Sequence, residues 1–376
     1  MAIRPEDALE TLKNEGIFFF AGVPDSLLKN FCFLIEDTVN KSNHIITANE
    51  GSAVSIGIGY NLATGEIPLI YMQNSGIGNA INPLLSLADE KVYSIPMILM
   101  IGWRGEPNTA DEPQHKKQGE IQEDLMSAIG IETFVLDKDS PLSIIIKACR
   151  SAKLNSRPVA ILVKKDTFLK YETKKVVLKK NLDTRENALK LIVDAANKFD
   201  YSLVSTTGVT SRELFEYRAS NDQSHSRDFL TVGGMGHASQ IAFGISLFAS
   251  KKKILCIDGD GAFLMHTGGI AEISARNPKN FKHIVINNGC HDSVGGQPTS
   301  AKNLDLTNVA SAFGYTTFKI CYSLKDLEIT LPKFLSYSSL AFLEIKVNPG
   351  FRKNLGRPTT TPIENKKCFM ESLQTF

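Results

Sequence analysis

Short apolar runs alternate with helix-like stretches through both halves of the chain, and that order restricts it to an α/β fold. The pattern predicts a helix over 5–14, a buried strand over 17–21, a helix over 25–37 and a strand over 44–48 that runs into Glu50. Residues 51–65 mix small and apolar side chains as a closely packed helix would, and 68–73 and 96–102 read as further buried strands. The second half repeats the order. A helix is expected over 185–199, strands over 202–205 and 229–232, then a glycine turn, a helix to about 250, and strands over 254–258 and 283–287. Between the halves lies YETKKVVLKKNLD, rich in lysine and poor in core-forming residues. The expected organisation is therefore a first domain over 1–170, a charged linker over 171–184 and a second domain over 185–376. Both domains are expected to be doubly wound parallel sheets without a middle domain, holding ligands at the carboxyl ends of their strands.

Composition narrows the function. With 376 residues, 43% of them hydrophobic, the chain can fill real cores. Its 42 basic and 40 acidic side chains leave a net charge of +2, which gives no reason to expect a nucleic-acid or membrane partner. Six cysteines are scattered singly, without zinc-site spacing, and read as reduced thiols. The start, MAIRPEDALETLKNEG, is charged and periodic rather than apolar, so the expected address is the cytoplasm.

The chemistry concentrates in the second half. FLTVGGMGHASQ approaches a dinucleotide fingerprint through Gly234-x-Gly236, which keeps a nicotinamide oxidoreductase open; Ser239 stands where the third glycine belongs. Further on, Asp260 sits between Gly259 and Gly261 after one strand, and Asn287-Asn288 follows the next. An Asp carboxylate, an Asn amide oxygen and a backbone carbonyl make a hard oxygen set suited to octahedral Mg²⁺ whose other ligands are diphosphate and water. The two glycines let the backbone approach phosphates. Taken alone, the Gly-Asp-Gly phrase is also an ordinary strand-to-helix turn. His291 and Asp292 come next, with no role separable from turn formation.

This pair of turns resembles the thiamine-diphosphate signature, and most of the chain is similar to the phosphonopyruvate decarboxylases, with sulfopyruvate decarboxylases as near relatives. FFFAGVPDSL, ANEGSAVSIGIGYNLATG, MQNSGIGNAINPL, IGWRGEPNTADEPQH, STTGVTSRELFE, INNGCHDSVGGQPT and NPGFRKNLGRPTTTP carry the likeness, from about Phe18 to Pro362. The resemblance implies a pyrimidine-facing first domain and a diphosphate- and Mg²⁺-binding second domain with a C-terminal tail. It implies thiamine diphosphate and Mg²⁺ as cofactors and a homo-oligomer with active sites between subunits. The substrate would be a small 2-oxo acid with an anionic head group, decarboxylated to phosphonoacetaldehyde in phosphonate biosynthesis. Glu50 stands where the acid that activates the pyrimidine is expected. Asp260, Asn288 and the carbonyl of Cys290 would hold the metal. Thr206, Thr207, Gly208, Gly234, Met235, Gly259, Gly261 and Ala262 would line the cofactor, with Met235 holding it bent. Asp25 and His115 are the expected proton handlers, although Asp25 also suits a helix cap and His115 a solvated loop. Arg104, His115, Lys116, Arg352, Lys353 and Arg357 are candidates for the anionic head group. Besides the nicotinamide enzyme, a non-catalytic member of the thiamine fold stays open.

Overall fold

The computed structural model describes residues 2–174 and 182–374, so half of the expected linker, 175–181, lies outside the described residues. The chain divides into two units, Met1–Val176 and Val177–Phe376. In the first, β1 (Phe20–Gly22), β2 (His44–Ile46), β3 (Leu69–Gln73), β4 (Met97–Gly102), β5 (Glu132–Leu136) and β6 (Pro158–Val163) form one sheet in the order β2-β1-β3-β4-β6-β5. Every pairing is parallel. Period-two alternation explains why the strands are apolar throughout. Leu69, Tyr71, Ile98, Met100, Val159 and Ile161 face one core cluster, while Ile70, Met72, Leu99, Ile101, Ala160 and Leu162 face the other. Each large side chain so buried stabilises the fold by roughly 1.5–3 kcal/mol before conformational entropy is counted.

The second unit contains β7 (Tyr201–Ser205), β8 (Asp228–Leu230), β9 (Lys253–Gly259), β10 (Phe281–Asn287), a small antiparallel pair β11 (Cys290–His291) and β12 (Gln297–Pro298), β13 (Thr316–Thr317) and β14 (Ala341–Lys346). Its main sheet runs β13-β14-β10-β9-β7-β8, again all parallel. Numbered within each unit, the two main sheets have the same strand order, 2-1-3-4-6-5. In both, the order reverses beside the first strand, and the crevice at the carboxyl ends there is where such folds place ligands. Among the described residues no helix is long and apolar enough to cross a membrane. All six cysteines are free thiols.

The expected α/β order and parallel sheets are present. The first helix occupies Pro5–Asn14 as the proline at its start dictates. The helix expected from 25 begins at Lys29, because the Asp25 carboxylate accepts the N–H groups of Leu27 and Leu28 and holds the chain in a turn. Glu50 is the first residue of the helix Glu50–Thr64, capped by Asn49, whose side chain accepts the Ser52 N–H at 2.8 Å.

Edge strand β8 leads into the glycine turn around Met235 and is fixed by two devices. Asn365, from the helix Pro362–Gln374, accepts the Leu230 N–H and donates to the Asp228 carbonyl, covering the open edge. Asp228 is buried against Arg218, whose Nη2 donates to it at 2.7 Å while Nη1 reaches Asn197. Removing one partner of a buried pair strands the other charge, so Arg218→Ala is expected to cost about 3–5 kcal/mol. Urea denaturation checks this: the midpoint should fall markedly with an unchanged slope, and an unshifted midpoint would count against the pair's importance.

Candidate active site

In the first unit, the residues singled out from the sequence gather at the carboxyl ends of β1, β3 and β4 and at the start of the helix Glu50–Thr64. Asp25 is fully buried after β1; its Oδ1 accepts from Gln73 Nε2 at 2.7 Å, which links the turns after β1 and β3. The fit is close enough to require glycine across the sheet: a Cβ on Gly102 would come within 2.1 Å of Asp25 Oδ2. Glu50 is 5% exposed and accepts one hydrogen bond, from Asn79 Nδ2 at 2.8 Å. Burial raises its pKa above the usual carboxylate range, with the Asn79 bond opposing. Gly76 lies against it, where a Cβ would stand 2.3 Å from Glu50 Oε1. Asn74, beside Gly76, exchanges hydrogen bonds with the Arg104 backbone, so the turns after β3 and β4 are joined as well.

Arg104 and His115 converge on Asp111, a residue that the sequence reading passed over inside IGWRGEPNTADEPQH. Arg104 Nε donates to Asp111 Oδ2 at 2.8 Å, Nη2 pairs with Oδ1, and Nη1 donates to Ser26 Oγ at 2.8 Å. His115 Nδ1 lies 2.9 Å from Asp111 Oδ1. Burial would raise the Asp111 pKa, but Arg104, His115 and the backbone N–H groups of Glu112 and Gly105 hold it far below the usual range. An ionised carboxylate only accepts, so His115 carries its proton on Nδ1 when neutral and presents Nε2 as the basic nitrogen. Asp111 and His115 flank the start of the helix Pro113–Glu120, four residues apart. That spacing beside a proline was the available signal. Lys116, next on this helix, is exposed.

The second unit brings together the other phrases. Asp260 begins a short helix after β9 and is buried, with its Oδ2 accepting from Thr299 Oγ1. Burial pushes its pKa up to about 6 against the opposing Thr299 bond. Thr299 N in turn donates to the Gly289 carbonyl at 3.0 Å, tying the turn after β9 to the turn after β10. Local sequence pattern gives Thr299 no role; β11 and β12 fold it back onto Asp260. Asn288 donates through Nδ2 to Asp292 and accepts the Cys290 N–H on Oδ1. Around Gly261, a Cβ would meet His291, Thr299 and Met235 at 3.1–3.3 Å, so Met235 leans over the Asp260 turn. Gly234 and Gly236, on either side of it, have positive φ. Ala262 is buried with its carbonyl against Gly236. Thr206 is buried, Thr207 donates to the Val232 carbonyl at 2.8 Å, and Gly208 approaches Ser293.

The tail cations are less available. Arg352 pairs through Nε with Glu186 at 3.2 Å and through Nη2 with Glu216, while Lys353 and Arg357 are exposed. The tail itself is stitched down by Arg212, which donates to the Gly356 and Leu355 carbonyls.

The oxygen set fits a magnesium ion. A carboxylate buried so far that its pKa nears 6, with one hydroxyl as side-chain partner, is costly to ionise until a cation neutralises it. The amide oxygen and carbonyls nearby are hard donors without thiolate character, as Mg²⁺ prefers.

Comparison with known proteins agrees with this arrangement. The profile of the thiamine pyrophosphate enzyme N-terminal TPP binding domain matches residues 6–128, and that of the C-terminal TPP binding domain matches 206–345. A phosphonopyruvate decarboxylase of Streptomyces viridochromogenes is 33% identical over 98% of this chain and 94% of its own. That of Streptomyces hygroscopicus is 32% identical over the same shares. A sulfopyruvate decarboxylase of Methanosarcina acetivorans is 27% identical over 99% of this chain and 98% of its own. With two parallel sheets of one topology, a buried glutamate in the first and an oxygen-donor turn in the second, the chain belongs to the thiamine-diphosphate-dependent phosphonopyruvate decarboxylase family.

Proposed function

We propose that this protein decarboxylates 3-phosphonopyruvate to phosphonoacetaldehyde and carbon dioxide, using thiamine diphosphate and Mg²⁺. The near-full-length kinship to phosphonopyruvate decarboxylases is the observation that carries the substrate. Family membership displaces the nicotinamide alternative, and the buried Glu50 argues against a merely binding role, which has no use for a costly buried acid. The reading includes a homo-oligomer with active sites between subunits and a cytoplasmic address, the latter supported by six free thiols.

When bound, thiamine diphosphate would supply the carbon nucleophile and electron sink that decarboxylation of a 2-oxo acid requires. The chain does the rest. Asp260, Asn288 and the Cys290 carbonyl would hold Mg²⁺, and the backbone at Gly208, Gly234, Gly259 and Gly261 would let phosphates approach. Met235 would support the bent cofactor. Glu50, its pKa raised by burial, would share a proton with the pyrimidine ring. His115 Nε2, set by the Asp111 bond at Nδ1, and Asp25, held by Gln73, would handle the proton delivered to the product carbon. The head group would draw on Arg104, Lys116, Arg352 and Arg357. Arg104 and Arg352 already carry carboxylate partners, so a phosphonate contact at either competes with a standing ion pair.

Two outcomes test this reading. Glu50→Gln should retain cofactor binding yet lose roughly 100-fold or more in turnover, the scale of a positioned acid-base group; near-normal turnover would remove Glu50 from the mechanism. Measured kcat/KM should rank phosphonopyruvate above sulfopyruvate and both above pyruvate, because pyruvate leaves head-group cations unpaired. The phosphonate carries nearly two negative charges near neutral pH and takes up a proton as pH falls, so its lead over the singly charged sulfonate should shrink toward acid. Equal use of pyruvate and phosphonopyruvate by the unmodified enzyme would end the substrate assignment.

A further inference from the structure

We propose that Asp292 is a positioning residue for the metal turn: held by Arg185, its carboxylate turns the Asn288 amide so that the oxygen faces the cation. The inference rests on the reading above, in which Asp260, Asn288 and the Cys290 carbonyl hold Mg²⁺.

Asp292 follows Asn288 by four residues in the short turn between β11 and β12, and all its acceptor capacity is used inside the second unit. Its Oδ2 accepts from Asn288 Nδ2 at 2.7 Å and from Arg185 Nη1 at 2.8 Å. Its Oδ1 accepts from Gly350 N at 2.9 Å and from the Cys290 thiol at 3.1 Å. The carboxylate therefore touches both residues assigned to the metal after β10. An amide can face a neighbour with either end, and only the carbonyl end ligates Mg²⁺. Against a carboxylate the choice is made, because the NH₂ group must point at Asp292, and the oxygen points away, where it also accepts the Cys290 N–H at 3.1 Å. The thiol contact anchors Cys290 from its side chain and leaves the carbonyl to the backbone turn.

Arg185 is what keeps the carboxylate in place. Its side chain and that of Asp292 are both 7% exposed, and Arg185 also pairs with the buried Glu213 through Nε at 2.9 Å. The network of Arg185, Glu213 and Asp292 thereby sets the orientation of the residues assigned to the metal. Nothing local in the sequence joins Arg185 to Asp292, which are 107 residues apart. The fold alone makes the contact.

The test uses the full chain with saturating thiamine diphosphate and measures Mg²⁺ affinity by titration calorimetry and Mn²⁺ affinity by electron paramagnetic resonance, on protein checked for folding by circular dichroism. Asp292→Asn should weaken both metals roughly 10- to 100-fold, the range for partners that orient metal ligands. The swap Asn288→Asp with Asp292→Asn restores a donor facing an acceptor, and should regain much of that loss; a merely structural Asp292 predicts no such rescue. Should Asp292→Asn not fold, Arg185→Lys, which keeps the charge and loses the fork, should weaken metal binding severalfold. Unchanged metal affinity in the folded Asp292→Asn or, failing that, Arg185→Lys variant, or no rescue by the swap, overturns the inference. Asp260→Ala separates the two levels: it should abolish tight binding, and if it binds Mg²⁺ like the parent, the metal site itself is misassigned.

Discussion

Parallel pairing is the constraint from which the rest of this structure follows. A parallel strand cannot be reached by a tight turn, so the chain must cross back over the sheet each time, and the crossings bury both faces. Every strand then starts at one edge and ends at the other, and all the turns that leave carboxyl ends share one side. Asp25, Gln73, Asn74 and Arg104 in the first unit, and Thr206, Asp260 and Asn288 in the second, owe their company to that geometry more than to any attraction between them. Where the strand order reverses, neighbouring connections part to opposite faces and leave a crevice.

Into those edges the protein has placed ionisable groups that dislike the setting. Glu50 and Asp260 lose hydration and are met by the side chains of Asn79 and Thr299. Asp111 and Asp292 are the opposite case, carboxylates surrounded by donors. The difference divides labour. The poorly compensated carboxyls bear the cost of burial, while the saturated ones are fixed and hold their neighbours still.

Much of this was legible in the order of residues. The helix Pro5–Asn14 and strands β3, β4, β9 and β10 are written in local periodicity and proline placement, and the Gly-Asp-Gly and Asn-Asn phrases stand at the ends of β9 and β10, where the sequence places them. Local pattern starts the helix too early after Asp25, since that side chain accepts the N–H groups of Leu27 and Leu28 ahead of it and holds them in a turn. What the sequence could not display was which charges are already engaged. Arg104 and Arg352 look like free cations in a string of letters, yet Asp111, Glu186 and Glu216 meet them only after folding. Thr299 and Asp292 were likewise visible but mute, because a hydroxyl or a carboxylate acquires meaning from the donor or acceptor that a distant strand brings to it.

The shared strand order has a consequence in time as well as in space. No strand of either main sheet is borrowed from the other unit, so the first sheet is complete once β6 has been synthesised. At about 5–20 residues per second, the second unit then takes on the order of 10–40 s to emerge, ample for the first core to close. The ribosome thus meets the folding problem as two smaller ones in sequence, and the apolar strands of the first half are hidden before those of the second half exist to mispair with them.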